Sequence, residues 1–385
     1  MGPLQGIKVI EIAGIGPGPF CAMMLSDMGA QVLRIDRADL VDAPGERDPR
    51  FEFTHRGRPS VALDLKNANA IAALKRLLAD ADVLVEGFRP GVMERLGLGP
   101  DDCAAINPRL VYGRMTGWGR EGVLAQRAGH DINYIAITGA LHATGPAEEP
   151  VPPLNLPGDF GGGAMYLAYG IACALVERER SGRGQVVDAA IVDGVHSLMT
   201  FIHAAHARGE WVDRRASNVL DGGRPRYGCF ETADGKHVAI GAIEPRFYAQ
   251  LIEVLRLPAS ELPAQHDAQG WALLRGRLAA AFRTRTRDAR CALLQDTDAC
   301  FAPVLGIEEA PDHPHNRSRG AFVEVAGARQ PAPAPRFSRS HAKIAGAAPH
   351  VGQHTRQALA AWGLEETEVD ALLASGAAVQ SVRTR

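Results

Sequence analysis

Two short polar stretches contain the side chains best suited to moving protons. The first, GHDINY at residues 129–134, places His130 between a flexible glycine and an aspartate, just ahead of an apolar run that predicts a helix over residues 135–141. Free N–H groups at a helix N-terminus can stabilise a developing negative charge, and histidine is a common acid–base group in enzymes. His130 is therefore a candidate catalytic residue, with a surface or hydrogen-bonded structural histidine as the alternative.

The second stretch is PGDFGGG at residues 157–163, where Asp159 stands ahead of three glycines. An aspartate before a helix is a favoured N-cap, but consecutive glycines weaken a helix start. Their presence predicts that the backbone approaches another group closely here, and Asp159 is then a candidate acid–base group or nucleophile. Glu244, next to Pro245, is typical of an ordinary helix start, where an acidic side chain matches the helix dipole.

Three arginines, Arg37, Arg89 and Arg95, follow or lie near the ends of predicted strands in the first half of the chain. Most arginines in proteins are solvated surface groups. Ligands of open parallel sheets bind at the carboxyl ends of the strands, however, so these three side chains could instead hold a polyphosphate.

The turn after the first predicted strand, GIGPG at residues 14–18, has some features of a dinucleotide-binding loop. Such a loop needs its third glycine at position 19, which is Pro19. Pro17 and Pro19 lack backbone donors, so the loop is a poor phosphate cradle, but both suit the first turn of a helix. Asp36 stands where a ribose-binding acid would, yet Arg37 beside it favours an additional phosphate. The pattern predicts a doubly wound fold and argues against NAD.

The hydrophobic pattern predicts the elements that must position these groups. In the first half, strand-like runs alternate with helical periodicity, which predicts an α/β fold with a Rossmann-like parallel sheet covered on both faces. The predicted strands are residues 7–12, 31–36, 60–65, 82–86 and 110–115, with a helix at residues 67–80. Later, strands at 227–232 and 236–242 flank a tight turn before a helix, which predicts a smaller α+β unit. Residues 357–374 predict a helix that returns to the first domain.

The composition bounds the class of protein. The 385 residues are enough for two or three domains, and a formal charge of −2 gives no basic field for nucleic acid. The uncharged run 160–176 contains four glycines and is short for a membrane span, which favours a buried helix. Lys8 and Glu11 break the first apolar run, so no secretory signal peptide is predicted. The six cysteines are widely spaced, which favours reduced thiols and a cytoplasmic location.

Several longer motifs make the chain resemble one known family. In order they are AGIGPGPFCAMML, FRPGVMERLGLGP, AGHDINY, PPLNL with GDFGGG, SGRGQVVDAAIVDG, DGG before ETADG, VAIGAIEP and TDACFAPVL. Together they run from about residue 4 to residue 360. The chain thereby resembles the α-methylacyl-CoA racemases, within the superfamily of family III CoA-transferases of the formyl-CoA and carnitine-CoA transferase type. GHDINY is especially discriminating, because the wider transferase family generally lacks its histidine.

The resemblance implies an intertwined homodimer with an active site between the large domain of one subunit and the small domain of the other. The implied large CoA-binding domain spans residues 1–203 and is completed by the C-terminal helix in residues 341–385. A linker at 204–226 leads to a small α+β domain at 227–325, and a proline-rich linker at 326–340 leads back. The ligand would be an acyl-CoA thioester with its 3′-phospho-ADP. No metal or separate cofactor, and no nucleic-acid or membrane partner, is implied.

The resemblance also implies roles for individual residues. His130 and Asp159 match two acid–base groups on opposite faces of the substrate α-carbon, and Glu244 matches the carboxylate that orients the histidine. Such a pair would epimerise 2-methylacyl-CoA thioesters at C2 through an enolate, one group removing the proton and the other returning it. The Asp131 N–H is a candidate oxyanion donor. The implied CoA-binding residues are Ile15, Arg37, Ala62, Leu63, Asp64, Leu65, Arg89, Arg95, Gly129, Asp131, Ile132, Asn133 and Tyr134.

Two alternatives and one departure from the family pattern stay open. In a CoA-transferase, Asp159 would attack an acyl-CoA and form covalent intermediates, but that chemistry needs no second proton carrier such as His130. In a non-catalytic CoA-thioester-binding protein, the acid–base groups would have no role. The family usually has two adjacent aromatic residues after DGG-x-Pro, whereas this chain has Arg226 in place of one of them and Gly228 in place of a polar residue. If this loop borders the acyl pocket, we expect a different substrate preference.

Overall fold

A computed structural model describes residues 1–383 of the chain. The strands are β1 Lys8–Ile12, β2 Gln31–Arg37, β3 Ser60–Leu63, β4 Val83–Glu86, β5 Val111–Thr116, β6 Val186–Ala190, β7 Tyr227–Glu231, β8 His237–Gly241, β9 Phe301–Pro303, β10 Phe322–Val325, β11 Ala328–Pro331 and β12 Ala378–Val379. The α-helices are α1 Pro17–Asp27, α2 Ala68–Ala79, α3 Val92–Arg95, α4 Pro100–Ile106, α5 Asp131–Ala136, α6 Tyr166–Ser181, α7 Ile191–Leu198, α8 Thr200–Ala207, α9 Pro245–Val254, α10 Trp271–Phe282, α11 Arg287–Leu294, α12 Pro314–Ser318, α13 Thr355–Ala361 and α14 Glu366–Ala374. A π-helix, Leu156–Met165, leads directly into α6. Short 3₁₀ turns lie at Ala38–Leu40, Pro49–Phe51, Phe53–His55, Ala259–Glu261, Ala268–Gly270 and Ala310–Asp312.

The central sheet has seven strands in the order β12-β3-β2-β1-β4-β5-β6. Neighbouring strands are parallel except for β12, which pairs antiparallel with β3. The order 3-2-1-4-5-6 within this sheet is that of a doubly wound Rossmann-like fold, so the predicted α/β class is confirmed. The strand order reverses between β1 and β4, and the carboxyl ends of these two strands are where such folds bind ligands.

The strands are buried because helices cover both faces of the sheet, which explains their continuous apolar runs. On one face, Leu74 and Leu78 of α2 pack with Leu359 of α13 and Val369 of α14 against the strand side chains. The cluster joins the C-terminal helices to the core of the N-terminal half. The predicted single helix over residues 357–374 is wrong in detail, because Gly363 adopts φ 103° and separates α13 from α14.

Two compact units divide the described chain. Unit 1 comprises residues 1–138, 154–199 and 317 onward, and unit 2 comprises residues 139–153 and 200–316. In unit 2, the antiparallel sheet β7-β8-β9 packs against α9, α10 and α11. Phe230, Ile240, Leu251, Leu278 and Phe282 are among the buried side chains of this α+β core. The two-linker organisation inferred from the sequence stays a prediction.

Two helix predictions differ from the structure. The helix expected at residues 135–141 instead begins at Asp131 and ends at Ala136, before Gly139 at φ 82°. The run 160–176, expected to be buried, lies in a helical segment, Leu156–Ser181, whose most apolar window is only 39% buried. By length and composition alone this segment could cross a membrane. One of its faces packs on the core of unit 1, and the other face is exposed.

Candidate active site

A cavity of about 580 Å³ lies at the carboxyl ends of β1, β4 and β5 in unit 1. This is the position at which a doubly wound sheet binds its ligand. Six of the predicted catalytic and CoA-binding residues line it: Ile15, Arg89, Gly129, His130, Tyr134 and Asp159. The structure therefore brings the predicted histidine and aspartate to one cavity, together with one of the three predicted arginines.

The first wall of the cavity is the turn between β1 and α1. Gly16 adopts φ 69°, a left-handed conformation that glycine tolerates best, and Pro17 then opens α1. The fully buried Arg58 fixes this turn, because its Nη1 donates to Glu11 Oε2 at 2.8 Å and to the Pro19 carbonyl at 3.0 Å. A Cβ atom on Gly16 would lie 3.2 Å from Asp159 Oδ2, so the glycine leaves room for that carboxylate.

The second wall contains His130 at the start of α5. Asn133 Oδ1 accepts the His130 backbone N–H at 3.0 Å. This bond caps α5, which begins at the next residue, Asp131. The Tyr134 hydroxyl donates to the Gly129 carbonyl at 2.5 Å. The Tyr134 ring meets Trp118 edge-on at 4.7 Å between centroids. The His130 side chain is exposed at this wall, where a substrate could reach it.

Asp159 lies inside the π-helix rather than at an N-cap. Helices of this kind are rare and are frequent at functional sites. The glycines that follow Asp159 let α7 approach, because a Cβ on Gly162 would lie 2.6 Å from Val195 Cγ2 and 2.8 Å from the Val195 backbone nitrogen. The predicted close approach of this backbone is therefore confirmed. The Asp131 carboxylate, in α5, also helps to fix the π-helix, because it accepts the Asp159 backbone N–H at 2.6 Å.

The electrostatics of the cavity favour a carboxyl group that titrates near neutral pH. Burial raises the pKa of Asp159 to about 6, and the neighbouring charge of Asp131 adds to this rise. The charge of His130 and a hydrogen bond from Asn155 oppose it. Burial also raises the pKa of Asp131, against the backbone N–H groups of Asp159 and Gly158. An acid–base group is most effective when its pKa lies near the working pH.

A buried ion-pair network holds the loop that contains Arg89. Arg114 Nε donates to Glu86 Oε1 at 2.7 Å, and Glu86 Oε2 accepts the Phe88 backbone N–H at 2.7 Å. Arg114 Nη1 also binds Glu94 Oε1 at 2.8 Å. Sequence reasoning missed Glu86 and Arg114, and also Gly117 and Trp118 at the cavity and Asn155, which hydrogen-bonds the Asp159 side chain. The one available signal was the polar Glu86 at the end of a buried strand.

Several predicted CoA-binding residues lie outside this cavity. The exposed Arg37 ends β2 and forms a bidentate ion pair with Asp39, at 2.9 Å and 2.5 Å. Arg95 approaches Gly91, at which a Cβ would lie 3.1 Å from Arg95 Nη1. The others are Asp131, Ile132 and Asn133 in the first turn of α5, and Ala62, Leu63, Asp64 and Leu65 in and after β3. Ala62 and Leu63 are fully buried in the sheet, so their side chains do not reach the surface.

Glu244 belongs to unit 2, where it precedes the first residue of α9 and is exposed. Pro245 follows at the N1 position, as the sequence predicted. Among residues 1–383, no group of three or more His, Cys, Asp or Glu side chains could hold a metal ion.

The fold and this cavity define the class of protein. Residues 4–355 match CoA-transferase family III, and the chain belongs to that family. It is 44% identical over 369 residues to the α-methylacyl-CoA racemase of Mus musculus and 42% identical over 379 residues to that of Homo sapiens. Each alignment covers 95% of both chains. A crystal structure of a CaiB/BaiF family protein from Brucella suis is 26% identical, with a TM-score of 0.79, over 94% of this chain and 99% of that chain.

Proposed function

We propose that the protein is an isomerase that epimerises 2-methylacyl-CoA thioesters at C2. The observation that carries the proposal is the shared cavity of His130 and Asp159, in which the pKa of Asp159 is raised to about 6. The 42–44% identity to proteins named α-methylacyl-CoA racemase supports the choice of this reaction within the family.

The proposed reaction is a 1,1-proton transfer. One of the two groups removes the α-proton from its face of the substrate, and the other returns a proton to the opposite face. The enolate charge between these steps falls on the thioester oxygen, where a positioned N–H group such as that of Asp131 stabilises it. A carboxyl group with a pKa near 6 can both take and give a proton at neutral pH, as a reversible epimerisation requires.

The predicted CoA-binding residues complete the proposal. Arg89 lies at the cavity and holds the diphosphate of CoA, with Arg95 nearby, and Arg37 binds the phosphate of the adenosine. Ile15 at the cavity edge is 83% exposed and offers an apolar surface to the ligand. CoA is part of the substrate, and the reaction as proposed uses no separate cofactor and no metal.

We also propose a homodimer with shared active sites, in which the partner's Glu244 orients His130 and stabilises its imidazolium form. One observation in unit 1 supports a second copy. Met165, Tyr169 and Val176 project from one face of the helical segment 156–181 and are 54%, 70% and 64% exposed. Such a contiguous apolar row is typical of a protein interface. Light scattering of the purified protein tests this, since Tyr169→Glu should produce monomers while the exposed Leu293→Glu in unit 2 should not.

The cytoplasm is the proposed location, because all six cysteines are unpaired. Nucleic acid and membrane are not among the proposed partners. An oxidising compartment would leave the four partly or fully exposed thiols open to oxidation.

Deuterium incorporation tests the reaction directly. We expect (S)-2-methylacyl-CoA, incubated with the protein in deuterated water without an acceptor acid, to gain deuterium at C2 and to form the (R) epimer. His130→Ala and Asp159→Ala should each abolish epimerisation, whereas His266→Ala, which changes an exposed histidine of unit 2, should not. CoA transfer to an added free acid, without any exchange, would contradict the proposal and make Asp159 a nucleophile.

A further inference from the structure

Among the described residues, two buried arginines have no carboxylate partner. Eight arginines are buried among residues 1–383. Six of them have a carboxylate oxygen within 2.8 Å, and they are Arg34, Arg56, Arg58, Arg114, Arg178 and Arg287. The other two, Arg226 and Arg290, lie in unit 2. This chain therefore pairs its buried guanidinium groups as a rule, and the two exceptions need separate explanations.

Arg290 has an explanation within the chain. Its Nη2 donates to the Ala281 carbonyl near the end of α10 and to Thr284 Oγ1 at 2.8 Å. Its guanidinium also lies over the Phe282 ring at 5.5 Å. The carbonyl end of a helix has partial negative charge, which suits a cation. The geometry around Arg290 thus supplies the stabilisation that an acid supplies elsewhere.

Arg226 has fewer compensating contacts than Arg290. It is 2% exposed, and the one hydrogen bond of its side chain to the described residues runs from Nη1 to the Gln265 carbonyl at 2.7 Å. Burial lowers the pKa of Arg226, and the charge of Arg224 lowers it further, with no carboxylate among the groups that act on it. A guanidinium stays protonated in proteins, so this side chain is a buried, uncompensated charge. It also replaces an aromatic residue of the family pattern, which an apolar core would favour.

Four buried donor atoms without a partner belong to Arg226 and to three side chains near it in unit 2. The buried atoms Arg224 Nε, Arg226 Nε, Tyr248 Oη and Trp271 Nε1 have no hydrogen-bond partner. They are neighbours, because the Arg224 guanidinium lies 5.2 Å from the Trp271 ring centroid and Arg226 interacts electrostatically with both Arg224 and Tyr248. Guanidinium and indole nitrogens only donate hydrogen bonds, and a tyrosine hydroxyl can donate. A ligand that accepts hydrogen bonds and brings negative charge would satisfy these donors and compensate Arg226.

We infer that Arg224, Arg226, Tyr248 and Trp271 form an oxyanion-binding site in unit 2, which takes a small phosphate, sulfate or carboxylate group. Two guanidinium groups and two neutral donors match the charge and the acceptor oxygens of such a ligand. Arg275 supports the site from α10, because its Nη2 donates to the Gly222 carbonyl in the loop that precedes Arg224. The Tyr248 N–H binds the Glu244 carbonyl at 3.0 Å, so the site lies one helical turn from Glu244. The inference does not depend on the reaction proposed above.

Thermal unfolding of the full-length protein tests the site. The protein would be titrated with sodium phosphate, sodium sulfate and sodium succinate, with sodium chloride at matched ionic strength as the reference. We expect a saturable rise in the unfolding midpoint with at least one of these oxyanions and not with chloride. A larger rise with phosphate or sulfate than with succinate would indicate a tetrahedral ligand. A larger rise with succinate would indicate a carboxylate. Calorimetric titration with the best of the three gives the dissociation constant.

Two variants and a control connect the binding to these side chains. Arg226→Met should weaken oxyanion binding at least tenfold. Tyr248→Phe, which removes only a hydroxyl, should weaken this binding about threefold. Arg277→Met, which changes an exposed arginine of α10, should leave binding unchanged. In oxyanion-free buffer, Arg226→Met should unfold at the same or a higher temperature than the unchanged protein, since it removes an unpaired buried charge. Equal stabilisation of the unchanged protein and Arg226→Met by all three salts, or none in either, would overturn the inference.

Discussion

Asp131→Asn tests the origin of the acid–base behaviour of Asp159. The replacement removes a charge but keeps a side-chain oxygen that can accept the Asp159 backbone N–H, now at 2.6 Å. The π-helix should therefore keep its geometry. Burial remains the larger cause of the raised Asp159 pKa, and the contribution from Asp131 disappears. The pKa of Asp159 should fall from about 6 toward the ordinary range of an aspartate.

The expected size follows from Coulomb's law. As a general scale, any two carboxylates about 5 Å apart at an effective dielectric of about 20 repel each other by on the order of 3 kcal/mol. Burial also raises the pKa of Asp131, and the two neighbouring carboxyl groups titrate as a coupled pair. We therefore expect a smaller change of about one pH unit, equal to about 1.4 kcal/mol.

The assay is the pH profile of kcat/KM for epimerisation. At low pH both proton carriers are protonated and no base remains, so the rate falls as the pH drops through about 6. The acidic limb should be the same in both directions of reaction, because the two active forms differ only in which group holds the proton. Asp131→Asn should move this limb to lower pH, whereas Asp101→Asn, an exposed aspartate of α4, should not. An acidic limb that stays in place, or that moves to higher pH, would refute the reasoning.

Three further predictions concern the turn, the π-helix and the surface arginine. Gly16→Ala places a Cβ 3.2 Å from Asp159 Oδ2 at φ 69°, so kcat/KM should fall roughly tenfold or more and stability to urea by about 1 kcal/mol. Gly194→Ala places a Cβ 1.9 Å from a carbonyl oxygen of the π-helix, so urea unfolding should show a loss of stability of about 3 kcal/mol. Asp39→Asn breaks the ion pair with Arg37 and leaves the Arg37 guanidinium available to bind phosphate. The KM for a CoA thioester should therefore fall about two- to threefold. An equal fall for the dephospho-CoA thioester would contradict the phosphate role of Arg37.

Much of unit 1 follows from the sequence, because parallel strands buried on both faces leave continuous apolar runs. The predicted strands at residues 7–12 and 31–36 correspond to β1 and β2 within one residue at each end. Pro19 in place of the third glycine was enough to argue against a dinucleotide loop. These signals are local, since they depend on the residue types within one turn or strand.

The features that sequence reasoning missed depend on rare backbone geometry or on specific side-chain contacts, some of them between distant residues. A π-helix is rare and its residue pattern is not distinctive, so the aspartate of PGDFGGG indicated a helix N-cap instead. The boundary of α5 depends on Asn133, whose side chain binds the backbone N–H of His130. Glu86 and Arg114 are 28 residues apart and meet only because β4 and β5 are neighbours in the sheet. Local pattern cannot show such partners.

The central claim is that His130 and Asp159 act on opposite faces of the α-carbon. Solvent exchange catalysed by the single variants tests it most directly. Each of the (R) and (S) epimers of a 2-methylacyl-CoA would be incubated in deuterated water with His130→Ala or with Asp159→Ala, and deuterium at C2 followed by mass spectrometry. We expect each variant to exchange the α-proton of one epimer only, and the two variants to exchange opposite epimers. Exchange of the same epimer by both variants, or of both epimers by either, would contradict the two-face assignment.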